Sequence, residues 1–231
     1  TNIAKIKSVH SRYVGTYEEF EKRAHNLPYP AVVKPGAGSR SLGVGLGTTQ
    51  ELLGRIVRQV SSSFSTINIR RFVQGLLAGR DYKKISQHRR KFVIQNYIDG
   101  FSADYKVLVY SDKYYIVYRQ NRVNDFRASG SGLISFPTDV PSDVLDYAEE
   151  VFSGFNTPFA SLDIATKMSE AFLLEFQFLS FGQYALERSN HYYKRIENRW
   201  QRIEGPSDLE ETFVYAVHRY IEKIKEGGVD A

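Results

Sequence analysis

Residues 31–46, AVVKPGAGSRSLGVGL, constrain this chain more than any other stretch. Ala31, Val32 and Val33 carry Lys34 to the end of a short strand. A run rich in small residues follows (Gly36, Ala37, Gly38, Ser39, Ser41, Gly43, Gly45), and the chain then turns apolar again. Strand, lysine, glycines and second apolar run describe a flexible loop between two strands. Residues without bulky side chains let backbone N–H groups approach an anion, and a strand-held lysine adds a point charge for phosphate oxygens. The familiar nucleotide loops are absent: no GxxxxGK followed by Ser or Thr occurs, and no GxGxxG opens a helix directly after its strand. Taken alone, the run also reads as a surface β-turn.

The segments around it alternate helix and strand. Tyr17, Phe20 and Ala24 sit at helical spacing, with Thr16 and Glu19 as a capping box, and Leu27-Pro28-Tyr29-Pro30 ends that helix. Thr48 or Thr49 caps a second helix, whose inward face is Leu52, Leu53, Ile56, Val57 and Val60. Residues 61–91 read as a basic insertion with a short helix over Arg71–Leu77. The charges there are Arg70, Arg71, Arg80, Lys83, Lys84, Arg89, Arg90 and Lys91, and they form either a solvated loop or a face for an anionic ligand. Lys91–Asp99 predicts a strand running into a connector. Asp104–Tyr110 and Lys113–Arg119 predict two strands turning at Ser111-Asp112. Alternation puts Tyr105, Val107 and Val109 on one face and Lys106, Leu108 and Tyr110 on the other, so both faces are largely apolar and the sheet is central. Beyond a polar loop, a helix is expected at Asp143–Phe152 and strands at Phe159–Ile164 and Ala171–Gln177. A loose tail then leads to a last helix near Asp208–Lys225.

With 231 residues, 42% of them hydrophobic, the chain can bury a core as one domain or two subdomains. No apolar run approaches the roughly 18 residues of a membrane span, so no membrane partner is expected. The absence of cysteine excludes disulfides, thiolate metal sites and a cysteine nucleophile, and it fits a reducing, cytoplasmic setting. A net charge of +5 favours anionic ligands. His10, His25, His88, His191 and His218 show no metal spacing, and no G-x-S-x-G elbow marks a serine hydrolase.

The late strand pair carries acids in greasy surroundings. Glu175 and Gln177 project to the same side because strand side chains repeat every two residues, and Asp163 lies opposite them if the two strands form a hairpin. Two carboxylates and an amide oxygen suit Mg²⁺, and burying them among Phe159, Leu162, Phe172 and Leu174 is costly without a cation or hydrogen bonds. Spacing alone equally allows Glu175 to be a paired residue on a wet face.

Taken in order, these pieces resemble the ATP-grasp superfamily over roughly residues 13–190. PAVVKP with GAGSRSLGVGL resembles the family's strand lysine and glycine-rich loop, and IQNYIDG resembles its adenine-binding connector. The run YRQNRVNDFRASG is similar to the signature of RimK-type ligases. The resemblance implies an α+β fold of two subdomains gripping ATP between antiparallel sheets. Residues 13–95 would form the small subdomain, with the lid loop and the basic insertion, and 96–231 the large one, with the metal site and the C-terminal helix. It implies ATP contacts from Lys34, Gly36, Gly38, Ser39 and Ser41, from Gln95 at the adenine amino edge, from the Tyr97–Ile98 backbone, and from Asp104 at the ribose. Arg119 and Arg127 would serve the transferred phosphate, and Asp163, Glu175 and Gln177 would hold Mg²⁺. The implied reaction joins a small-molecule or peptide carboxylate to an amine through an acyl phosphate.

Gln177 stands where the family has Asn, and Gln95 where it commonly has Glu. Family enzymes also carry a preceding substrate domain and a further basic residue, for which only Lys5 or Lys7 is at hand, so a longer protein or a partner chain is expected. Arg188 and Asn190 are weak candidates for acceptor contacts, with a surface turn as the competing account. The competing functions are an ATP-grasp kinase acting on a hydroxyl, a catalytically silent nucleotide-binding domain and, ranked last for want of any RNA motif, a nucleic-acid binder.

Overall fold

The computed structural model describes residues 6, 8–37, 41–63, 66–77, 86–179 and 181–226, with backbone alone at 66–68, 71, 72 and 76. The chain divides at Asp99/Gly100 into two units, Val9–Asp99 and the residues from Gly100 onward together with Ile6 and Ser8.

The first unit contains β1 (Ser11–Val14), α1 (Tyr17–Arg23), β2 (Ala31–Pro35), β3 (Gly45–Gly47), α2 (Gln50–Ser61), α3 (Thr66–Leu77) and β4 (Phe92–Asn96). Its strands form an antiparallel sheet in the order β1-β4-β2-β3. Both expected caps are made: Thr16 Oγ1 accepts from the Glu19 N–H at 3.1 Å, and Thr49, rather than Thr48, accepts from the Leu52 N–H at 3.2 Å. The box closes one residue early, since the Glu19 carboxylate accepts from Gly15 N–H. Leu53 and Val57 of α2 are buried with Phe20, Ala31, Val33, Phe92 and Ile94, so the helices cover one face of the sheet. Helix α3 is longer than the Arg71–Leu77 expected, because its polar, β-branched first turn does not look helical locally. In the basic insertion, Arg70, Arg89, Arg90 and Lys91 are exposed. Arg80, Lys83 and Lys84 lie outside the described residues, as does the Arg71 side chain.

The second unit contains β5 (Ala103–Tyr110), β6 (Lys113–Gln120), β7 (Ile134–Ser135), α4 (Ser142–Ser153), β8 (Phe159–Lys167), β9 (Glu170–Gln177), α5 (Tyr184–Arg188), β10 (His191–Ile196), β11 (Arg199–Glu204) and α6 (Leu209–Glu226). The sheet order is β11-β10-β6-β5-β8-β9, with β7 on β6. One face, with Val107, Val109, Ile116, Leu162 and Ile164, packs against Val144, Leu145, Ala148 and Val151 of α4. The other, with Leu108, Tyr110, Tyr115 and Val117, meets Ala185 and Leu186 of α5 and Ala216 of α6. Helices on both faces explain why β5 and β6 are apolar on both sides. The loose tail expected after Gln177 is in fact α5 and the β10–β11 hairpin. Edge strand β11 buries none of its residues completely, so its sequence lacks the apolar alternation that marks a strand. The hairpin turns at Glu197 and Asn198, both in the left-handed region with φ of 50° and 61°, a geometry that matches strand twist. Among the described residues no helix is long and apolar enough to cross a membrane.

Candidate functional site

The residues singled out by sequence fall in both units. In the first, the ladder decides which of them share a face. Directly opposed residues of an antiparallel pair project to the same side. Lys34 is opposite Val93, Val32 is opposite Gln95, and Gln95 is opposite Ser11. Lys34, Gln95 and Ser11 therefore lie together on the face away from α1 and α2. Gln95 is buried, and its Nε2 donates to Ser11 Oγ at 3.0 Å. The Tyr97 N–H donates to Pro30 O at 3.2 Å and its hydroxyl to Asp99 at 3.3 Å, while Ile98 is half-buried.

Close packing requires one glycine of the run and another just beyond it. The Gly36 N–H donates to Lys91 O at 2.7 Å, and a Cβ at Gly36 would lie 2.8 Å from that oxygen, so this glycine is required where β2 and β4 part. At Gly47 a Cβ would lie 2.5 Å from Leu53, because α2 passes directly over β3. Ser41 takes a left-handed φ of 55°, and Gly38 and Ser39 lie outside the described residues.

In the second unit the polar residues gather at one end of the face that meets α5. Asp104 is opposite Arg119 on β6, Lys106 is opposite Asp163 on β8, and Asp163 is opposite Glu175 on β9. Arg119 is 4% exposed and Asp104 6%. The guanidinium donates from Nε and Nη2 to both Asp104 oxygens, at 2.5 and 2.8 Å, and its Nη2 also pairs with Asp163 Oδ2 at 2.8 Å. Burial pushes the Asp104 carboxyl up to about 6 against the pull of Arg119, with the Asp163 charge adding to the rise. Burial works against the Arg119 charge too, but the two carboxylates outweigh it and hold the guanidinium above its ordinary value. Asp104, expected at the ribose, thus has both oxygens on Arg119.

Sequence reasoning gave no role to three residues of this cluster. Lys106 donates to Ser161 Oγ at 2.8 Å and stands 3.6 Å from Asp163 Oδ1. Tyr184, at the start of α5, has its phenol pushed up by burial and held back by the nearby Arg119 charge. Alternation already put Lys106 on this face, and its burial was the missing fact. Arg127 pairs locally with Asp125, Nη2 to Oδ2 at 2.8 Å. Arg188 is exposed, 5.8 Å over the Phe136 ring, and the carbonyl of exposed Asn190 accepts from Gly205 N–H.

Among the described residues no three His, Cys, Asp or Glu side chains form a metal-ligating group. The candidate set is two carboxylates and an amide. Gln177 Nε2 donates to Glu175 Oε1 at 2.6 Å, which leaves the amide oxygen as its ligating end. Hard oxygen donors on adjacent strands fit Mg²⁺ in type.

No protein-family model matches the sequence, and no curated protein matches it. Solved structures do match its fold. D-alanine–D-alanine ligase from Bacillus anthracis is similar over 95% of this chain and 65% of its own, at 15% identity and a TM-score of 0.55. D-cycloserine synthetase DcsG is similar over 93% and 66%, at 13% identity and 0.54. L-amino acid ligase from Bacillus licheniformis is similar over 79% and 41%, at 20% identity and 0.52. These likenesses show the fold alone, a mixed helix and strand architecture with two antiparallel sheets that matches the ATP-grasp fold expected from the sequence. The chain spans less than two thirds of the length of each of these three structures.

Proposed function

We propose that this chain carries the nucleotide-binding and catalytic residues of an ATP-dependent ligase that joins a carboxylate to an amine. The observation that carries the reading is Arg119, a buried guanidinium held between two carboxylates beside a second buried cation, Lys106. Phosphoryl transfer asks a protein mainly for positioned charge, and preorganised cations in a dry site supply it without reorganisation. The fold likeness to ligases supports the same reading.

In this proposal Lys34 and the loop at Gly36, Gly38, Ser39 and Ser41 hold the ATP phosphates. Gln95 and the Tyr97–Ile98 backbone read adenine, and Asp104 meets the ribose. Asp163, Glu175 and Gln177 hold Mg²⁺, which when bound neutralises phosphate charge. Arg119 and Arg127 orient the γ-phosphate for the substrate carboxylate. A carboxylate oxygen attacks the γ-phosphorus and ADP leaves, and an amine then attacks the acyl carbon and phosphate leaves.

The test is calorimetric titration of a non-hydrolysable ATP analogue, with and without Mg²⁺. The parent is expected to bind with Mg²⁺ dependence, Lys34→Ala to bind more weakly, and Glu175→Ala to lose the dependence. A parent that binds no nucleotide ends the proposal. Trapping with hydroxylamine then separates an acyl phosphate, which yields a hydroxamate, from the phosphoester that a kinase would make.

A further inference from the structure

Helix α6 carries more apolar surface than its seat on the sheet uses. Thr212 and Ala216 are its buried residues. A second apolar stripe runs along its flank through Val214, Val217, Ile221 and Ile224, at the alternating spacing of three and four residues that keeps side chains in one line along a helix. Val214 is 66% exposed and Ile221 44%, and Phe213 beside them is 37% exposed although its ring packs on Phe159 at 4.6 Å. Charge frames the stripe. Exposed Glu210 continues it at one end, and exposed Lys225 borders it at the other. Among the described residues the charged contacts within α6 join Glu222 to His218 and Arg219, and they involve neither Glu210 nor Lys225. The helix dipole favours an acid at the start of a helix and a lysine at its end, but it gives no reason for Val214 and Ile221 to face water.

We infer that this stripe is the surface through which two copies of the chain associate, their α6 helices running antiparallel about a twofold axis. The end charges choose both the occupant and the orientation. A parallel copy would set Glu210 against Glu210 and Lys225 against Lys225. In an antiparallel copy, Val214 opposite the second copy's Ile221 brings Glu210 opposite the second copy's Lys225, because each charge lies four residues further out than its apolar neighbour. The twofold axis makes both contacts twice, as a self-complementary interface requires. A contact made by one pair of helices is smaller than the roughly 1,200–2,000 Å² of a stable interface, so the association is weak, with a Kd of about 10–100 µM. This inference is independent of the nucleotide reading above.

Sedimentation equilibrium of the 231-residue chain, from about tenfold below to tenfold above that Kd, tests it. The parent is expected to pass from monomer to dimer. Glu210→Lys and Lys225→Glu, each of which sets like charges together at both ends, are expected to weaken the dimer about tenfold. The double variant Glu210→Lys/Lys225→Glu is expected to restore it, whereas a role in the helix dipole alone would leave association unmoved and make the double variant the least stable to heat. Val214→Glu is expected to abolish the dimer with an unchanged melting temperature, since that side chain is exposed. A parent that stays monomeric throughout the range overturns the inference and leaves the stripe to another occupant. So does a dimer that survives Val214→Glu, or a double variant that associates no better than either single one.

Discussion

Replacing Arg119 by Gln tests whether the Asp104–Arg119–Asp163 cluster is a buried electrostatic unit. The guanidinium makes two hydrogen bonds to Asp104 and one ion pair to Asp163, with all three side chains less than one-fifth exposed. Removing the cation leaves two carboxylates in a dry site, a change that costs about 3–5 kcal/mol when a buried pair is broken from one side. The loss should depend on pH, with a definite sign. The Asp104 pKa is already raised from 3.8 to about 6, so its contribution to stability is complete below about 3.8 and is lost as pH rises through 6. Without Arg119 the carboxyl rises further, and each unit adds about 1.4 kcal/mol to the pH dependence. Arg119→Gln should therefore be destabilised most near pH 7.5 and distinctly less near pH 5, where Asp104 takes up a proton. Chemical denaturation of parent and variant followed by circular dichroism at the two pH values measures this. An equal loss at both would mean that the guanidinium acts through packing alone, and a loss below about 1 kcal/mol would mean the cluster behaves as a surface ion pair.

Tyr110 is fully buried and its hydroxyl has no hydrogen-bond partner among the described residues, while burial pushes its pKa up to about 12. Tyr110→Phe should therefore raise stability by about 1 kcal/mol, seen as a melting temperature some 2–4 °C higher, and a lower value would show that the hydroxyl is satisfied in solution. Gly47→Ala places a methyl group 2.5 Å from Leu53 and should cost about 1–3 kcal/mol in thermal unfolding; an unchanged melting temperature would mean that α2 moves aside freely. Thr49→Ala removes the cap on the Leu52 N–H and should cost about 1 kcal/mol, whereas a neutral result would assign that helix start to packing alone.

What could be read from the sequence was local. The Thr16 and Thr49 caps, the strand carrying Lys34, and the alternation of β5 and β6 all depend on residues within a few positions of each other, and the structure contains them. Sequence could set Asp163 opposite Glu175 only on the condition that the two strands form a hairpin; the turn register alone would pair Asp163 with Leu174, and the bulge at Asp163/Ile164 is what brings it to Glu175. The β10–β11 hairpin was hidden because its edge strand has no apolar face to give it away. The glycine run was only half legible, since sequence alone does not show that Gly36 sits against Lys91 O where β2 and β4 part.

The composition and order of the chain determined which chemical groups are on offer: a strand lysine, a Gln near the end of a strand, two arginines and a pair of acids. Tertiary pairing alone decided which of them share a volume. Alternation alone puts Lys106 on a largely apolar face, but its ion pair with Asp163 exists only once β5 pairs with β8 in that register, and Gln95 meets Ser11 only once β1 joins β4. Charge interactions and hydrogen-bond direction depend on distances of a few ångströms between residues remote in sequence, and only the closed sheets bring those distances into being.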